Sequence, residues 1–272
     1  MPFAEVEGRR IHYKLDGSGD TVLVFSNSLG TSLEMWDPQV AALSQHVRIL
    51  RYDNRGHGLS DPDDTPISMD DLAADALVVM DHASVEEAHF IGLSLGGMVG
   101  QKLAVGAPHR ISSLTLCATA AYLPPPDSWE KRAQAALSDG MEPMAALSLG
   151  RWFTPDYLVG HEQQVEPLLD ALRSVDPGSY AVCCRAIRDF DARNWIGRMT
   201  VPPLLIAGAE DPATPPAMLR EIADLVGSAK FVSVSPAAHI LNVEQAEKVS
   251  SHILSFVNCC QPFAPAEAHV VV

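Results

Sequence analysis

The segment FIGLSLGGMVG, from Phe90 to Gly100, constrains the fold more than any other part of the chain. Its first half is an apolar run that reads as a buried strand, and its second half is a run of small residues able to open a helix. Between the halves stands one hydroxyl, Ser94, with Gly92 before it and Gly96 and Gly97 after it. A G-x-S-x-G segment between strand and helix makes a sharp, strained corner, because only neighbours without bulk let the chain double back so tightly. Such a corner projects its hydroxyl at the C-terminal edge of a sheet. It also aims the free N–H groups of the helix start, Leu95 first, at whatever sits beside the serine.

Apolar runs at TVLVFS, VRILRYD, AHFIGL, RISSLTLCAT, PPLLIAG and KFVSVS read as further strands, and AEVEG with RRIHYKLDG reads as an antiparallel ribbon turning at Gly8. Between them lie amphipathic helical stretches, among them SMDDLAADALVVMDHA with Ser68 as N-cap, PPAMLREIADLV, and a closing NVEQAEKVSSHILSFV. From YLPPPDSWEK to about Trp195 the pattern is helical with no strands. Strand and helix therefore alternate on both sides of a helical middle, which predicts an α/β parallel sheet carrying a helical insertion. The expected division is a core of residues 1–121 and 197–260, an inserted helical cap at 122–196, and a loose tail at 261–272.

The formal net charge of −15 argues against a nucleic-acid or anionic-membrane partner, since both demand a basic face. No apolar run approaches the roughly 20 residues of a spanning helix, and MPFAEVEGRR has no signal-peptide pattern. The cysteines, Cys117, Cys183, Cys184, Cys259 and Cys260, fit neither a disulfide framework nor a zinc spacing, so reduced thiols and a cytoplasmic location are expected.

A hydroxyl is a poor nucleophile until a base takes its proton, and that base needs an orienting acid. When a corner of this kind crowns a parallel sheet, the order along the chain is serine, acid, histidine. PPLLIAGAEDPATPP places Asp211 just beyond a buried strand, with Glu210 as its rival and capping of the helix at Pro216 as its plain structural role. KFVSVSPAAHILNVEQ places His239 in the loop after the last strand. His12, His57, His109 and His252 lack that position, and His57, in RGHG, suits a turn role. A second oxyanion donor is expected in VFSNSLGTSLEMW, at the N–H of Leu29.

With GLSLGG, Asp211 and His239 in this order, the chain resembles the α/β-hydrolase superfamily, and RYDNRGHGLSD matches that superfamily's strand and turn. The resemblance implies a mostly parallel, eight-stranded sheet flanked by helices, with the cap inserted after the sixth strand. FSNSLGTSLEMWDPQV, RYDNRGHGLSD, RWFTPDY and CCRAIRDFDAR resemble more closely the 3-oxoadipate enol-lactonases, also called β-ketoadipate enol-lactone hydrolases. Asn27-Ser28 stands where most of the superfamily carries His-Gly, a departure the enol-lactonases share, and it makes the Ser28 hydroxyl a candidate substrate contact.

This resemblance implies hydrolysis of 3-oxoadipate enol-lactone to 3-oxoadipate in bacterial breakdown of aromatic compounds. No metal or organic cofactor is expected. The partner would be a small lactone bearing a carboxylate, and homo-oligomerisation is left open. That carboxylate needs donors in an acidic protein. The cap offers Trp129 and Arg132 on one helical face, together with Arg151, Arg185, Arg188 and Arg193. Arg188 is a candidate contact although its acidic neighbours Asp189 and Asp191 favour an internal ion pair. A broad-range carboxylesterase or perhydrolase with an apolar pocket, and a weakly catalytic ligand receptor, are the competing readings.

Overall fold

The structure is a computed structural model that describes residues 2–260, so the expected tail at 261–272 lies outside the described residues. Along the chain come β1 (Phe3–Val6), β2 (Arg9–Gly17), β3 (Val22–Ser26), α1 (Asp37–Leu43), β4 (Arg48–Tyr52), α2 (Met69–His82), β5 (Ala88–Leu93), α3 (Leu95–Gly106) and β6 (Ile111–Cys117). Five helices follow without a strand: α4 (Pro126–Asp139), α5 (Glu142–Trp152), α6 (Pro155–Leu158), α7 (Glu162–Arg173) and α8 (Pro177–Asp189). The chain then returns through β7 (Pro203–Gly208), α9 (Pro216–Val226), β8 (Lys230–Val234), α10 (Leu241–Glu244) and α11 (Ala246–Cys260).

The strands form one eight-stranded sheet in the order β1-β2-β4-β3-β5-β6-β7-β8. β2 runs antiparallel to both neighbours, and every pairing from β4 across to β8 is parallel. Helices cover both faces of the parallel part. This explains why β3, β5 and β7 are buried at every residue and, apart from Ser26 and His89, apolar instead of alternating. β3 and β5 are neighbours although β4 and α2 lie between them in sequence, so the strand order reverses there. Chains leaving the two strands diverge and open a crevice at the C-terminal edge.

Local sequence sets the ends of the helices. Ser68 and Asp71 form a capping box on α2: the Asp71 carboxylate accepts the Ser68 N–H at 2.7 Å, and Ser68 Oγ accepts the Asp71 N–H at 3.4 Å. The closing helix expected as one piece is two. Gln245, at φ −129° and ψ 51°, parts α10 from α11. The break turns Glu244 inward, where it accepts the Ala238 N–H at 2.8 Å, while α11 goes on to pack against α1.

The helices α4–α8 sit between β6 and β7 as an insertion whose two ends pair with each other. Tyr122 bridges Asp191, and the Ala192 N–H donates to the Ala121 carbonyl at 2.8 Å. Inside the insertion α4 packs along α8. Glu130 on α4 receives Arg185 at 3.0 Å and Arg188 alongside it, both from α8. Hydrogen bonding from Arg185, with further help from Gln134 and Arg188, pulls the Glu130 carboxyl down to about 2. A carboxyl depressed in the folded state contributes stability that is present above its unfolded value of about 4.3 and fades as pH falls toward the folded one. Glu130→Gln is therefore expected to lower Tm by an amount that is constant from pH 7 to about 4.5 and shrinks below that, as read by thermal melts across the range.

Candidate active site

Ser94 sits between β5 and α3 at φ 56° and ψ −113°, a backbone region that non-glycine residues adopt only when the surroundings hold them there. Three observations show what holds it. The Ser94 N–H donates to the Cys117 carbonyl at 3.0 Å, and the Ser94 carbonyl accepts the Thr119 hydroxyl at 2.8 Å. Gly96 lies so close to the end of β3 that a Cβ there would overlap the Ser26 carbonyl, and its N–H donates to the Asn27 carbonyl at 3.0 Å. The glycine thus docks the start of α3 directly on the chain leaving β3.

His239 follows β8 and Asp211 follows β7, so both stand at the same sheet edge as Ser94. His239 Nδ1 lies 2.8 Å from Asp211 Oδ2. A carboxylate oxygen only accepts, so Nδ1 carries the hydrogen and Nε2 keeps a free lone pair. Ser94 and His239 line one cavity of about 510 Å³. Among the described residues the imidazole bonds to Asp211 and Thr214, and no hydrogen bond joins it to Ser94 Oγ. Catalytic contacts of this type commonly tighten only when substrate arrives.

Asp211 does not cap α9. Its Oδ1 accepts the N–H groups of Ala213 at 2.7 Å and Thr214 at 3.0 Å, and its Oδ2 accepts the Thr214 hydroxyl at 2.6 Å besides His239. Burial pushes the Asp211 carboxyl up, but the charge and hydrogen bond of His239 and the bonds from Thr214 outweigh it and hold the carboxyl below its ordinary range. Its rival Glu210 is exposed. Thr214, which sequence reasoning passed over, is buried. Its only trace in the sequence is a threonine three residues after the acid, the spacing of a side-chain turn.

Leu95 is the first residue of α3, so its N–H has no partner within the helix. On the facing loop the Ser28 N–H points to Met35 Sδ at 3.4 Å and the Gly30 N–H to His57 Nε2 at 3.0 Å, whereas the Leu29 N–H makes no such bond among the described residues. Among the described residues neither the Leu29 N–H nor the Leu95 N–H has a hydrogen-bond partner, which leaves both free to serve as oxyanion donors. Asn27 serves the loop. Its amide donates to the Tyr52 carbonyl at 2.7 Å and its oxygen accepts Trp36 Nε1–H at 3.0 Å. The Ser28 hydroxyl lines the cavity.

The insertion closes the cavity from above with Trp129, Arg132, Arg151 and Trp152. Arg132 is fixed in direction: Nε donates to the Tyr180 hydroxyl at 2.7 Å, and the guanidinium lies 5.6 Å from the centre of the Trp129 ring. Arg188, a candidate contact from the sequence, does not line the cavity; Glu130 of α4 and Asp189 take its guanidinium. Four arginines of the insertion are bound to carboxylates: Arg173 to Glu142, Glu166 and Asp170, Arg185 and Arg188 to Glu130, and Arg193 to Asp191. Arg132 and Arg151, the two at the cavity, have no carboxylate partner among the described residues. Trp152 is buried and is also a cavity wall.

The insertion is tied to the histidine loop. The Ile240 N–H donates to the Trp152 carbonyl at 2.9 Å. The Glu244 carboxylate accepts the Thr154 N–H at 3.2 Å and the Thr154 hydroxyl on one oxygen, and the Ala238 N–H on the other.

Comparison with known proteins shows the family. The α/β hydrolase fold family matches residues 21–156, and a family described as TAP-like protein matches residues 181–262. The chain belongs to the α/β-hydrolase superfamily and is an enzyme of the hydrolase class. Among its relatives, 3-oxoadipate enol-lactonase 2 of Acinetobacter baylyi is 36% identical over 87% of this chain and 89% of that protein. The crystal structure of the enol-lactonase from Burkholderia xenovorans LB400 superposes with a TM-score of 0.91 at 40% identity, covering 94% of this chain and 100% of that one. A protein of Azorhizobium caulinodans named "Putative carbamate hydrolase RutD" is 28% identical over 94% of this chain and 98% of its own length.

The corner itself can be tested. Gly96→Ala is expected to force α3 away from β3, at a cost of about 1–3 kcal/mol, read as a lower urea midpoint with an unchanged m-value.

Proposed function

We propose that the chain hydrolyses 3-oxoadipate enol-lactone to 3-oxoadipate, a step of the β-ketoadipate pathway, with Ser94 as nucleophile, His239 as general base and acid, and Asp211 as its orienting acid. The observation that carries the reading is the pair of cavity arginines. In a chain of net charge −15, where the other arginines of the insertion are bound to carboxylates, Arg132 and Arg151 face the same space as Ser94 and His239 with none. An apolar pocket for plain esters would have no use for them. A lactone that carries a carboxylate supplies their missing partner. The enol-lactonase relatives point the same way.

In this reading His239 Nε2 takes the Ser94 proton as Oγ attacks the lactone carbonyl. The N–H groups of Leu29 and Leu95 receive the oxyanion. The ring C–O bond breaks, and the leaving oxygen takes the proton from His239 to become an enol on the same molecule, still held by its acyl bond to Ser94; the enol ketonises. Water then gives a proton to Nε2 and attacks the acyl carbon. The Ser94–acyl bond breaks, the proton returns to Oγ, and the new carboxylate leaves. Asp211 keeps the hydrogen on Nδ1 throughout and stabilises the imidazolium. We also place the enzyme in a reducing cytoplasm, a reading that fits its five free cysteines.

Initial rates on 3-oxoadipate enol-lactone and on a neutral aryl ester test the substrate. Turnover of the lactone at least about 100-fold above the ester in kcat/KM is expected, with a loss of about 10⁴-fold or more in Ser94→Ala. Fast turnover of the aryl ester, or of a carbamate, with the lactone untouched would reject the reading. Arg132→Gln is expected to raise KM for the lactone roughly 10- to 100-fold, the worth of a hydrogen bond to a charged group, and to leave KM for the neutral ester within about twofold.

A further inference from the structure

His57 is fully buried in the turn after β4, and the reaction as written does not use it. Its Nδ1 lies 2.8 Å from the Arg55 carbonyl oxygen, which can only accept, so Nδ1 carries the hydrogen. Nε2 is then a bare lone pair, and the Gly30 N–H donates to it at 3.0 Å. Burial favours this neutral ring by pushing its pKa down, against the opposing pull of the Arg55 carbonyl, Asp53 and Asp176. One tautomer of a neutral imidazole is thus fixed at both ends.

What His57 holds is one of the two peptide planes that flank Leu29. The plane on the N-terminal side contains the Ser28 carbonyl and the Leu29 N–H. It is pinned through that carbonyl, which accepts the Thr31 hydroxyl at 2.8 Å and the Thr31 N–H at 3.2 Å. The plane on the C-terminal side contains the Leu29 carbonyl and the Gly30 N–H, and His57 pins it. Gly30 sits at φ 82°, so the chain turns immediately after this point and local backbone geometry alone does not stiffen it. The first plane carries the Leu29 N–H, and the second, held by His57, fixes the Leu29 Cα on which the first plane ends, so the direction of that N–H needs both anchors.

We infer that His57 is a positioning residue for acyl transfer: by accepting the Gly30 N–H it aims the Leu29 N–H at the carbonyl oxygen that Ser94 attacks. This rests on the reading of Ser94 as nucleophile and Leu29 as oxyanion donor. It does not depend on which ester is the substrate. His57→Asn keeps a donor for the Arg55 carbonyl but is too short to reach Gly30, and His57→Gln puts an acceptor back near the place of Nε2. The measurement is burst kinetics with p-nitrophenyl acetate, in which amplitude counts working sites and rate reads acylation per site. A phenylboronic acid supplies affinity for a tetrahedral mimic.

His57→Asn is expected to slow acylation per titrated site about 10- to 100-fold with KM within about twofold, and to weaken boronate binding by a similar factor. His57→Gln is expected to recover most of both. A merely structural histidine would lower Tm and burst amplitude but leave rate per site and boronate affinity alone, and that result in His57→Asn overturns the inference. Should His57→Asn give no folded protein, His57→Gln must fold and acylate near the native rate, and a slow His57→Gln overturns it equally. Ser94→Ala separates the two readings. A burst that survives Ser94→Ala rejects the serine as nucleophile, whereas a silent Ser94→Ala beside a native-rate His57→Asn rejects only the role of His57.

Discussion

Between the end of β3 and the start of α3 there is no room for a β-carbon. Gly96 rests on the Ser26 carbonyl and donates its N–H to the carbonyl of Asn27. Most of the site follows from that approach. It forces the chain to reverse within a residue of β5, which puts Ser94 in its unusual backbone conformation. It also brings the loop bearing Leu29 within reach of the first N–H of α3. The strained serine corner and the closeness of the two N–H groups proposed as oxyanion donors therefore follow from one steric contact. The strain is offset by the hydrogen bonds from Ser94 to Cys117 and from Thr119.

The second organising force is the bookkeeping of charge in an acidic molecule. Arginines here are normally held by carboxylates. Arg55 is buried between Asp63 and Asp75, and Arg51 reaches Asp16 and Asp37. Arg48, Arg198 and Arg220 have no carboxylate partner among the described residues, but only Arg132 and Arg151 combine that lack with a place in the wall of the cavity. Arg132 is also oriented by neutral groups, the Tyr180 hydroxyl and the Trp129 ring, which hold its direction without cancelling its charge.

Much of this was readable from residues alone, and the reason is geometric. Buried parallel strands announce themselves as unbroken apolar runs, and functional loops follow their C-terminal ends. Strand order along the chain was therefore enough to bring Ser94, Asp211 and His239 to one edge. The insertion resisted such reading. Arg132 and Arg188 both lie on amphipathic helices with acids nearby, and only the packing of α4 along α8 decides that Glu130 takes one of them and the cavity the other. Thr214 was invisible for a similar reason. A buried threonine hydroxyl next to a carboxylate looks, in sequence, like any loop threonine. The break at Gln245 was hidden because the helical periodicity continues through it, and the contacts that accompany it, Glu244 with Ala238 and Thr154, join residues far apart in sequence or lie in a loop.

The bonds joining Trp152 to Ile240, and Thr154 through Glu244 to Ala238, bear on how the molecule can breathe. They cross from the roof of the chamber to the strip of backbone holding the imidazole. Along this margin the roof cannot part from the floor without shifting the backbone on both sides of the imidazole. Whatever displaces that edge carries the ring with it.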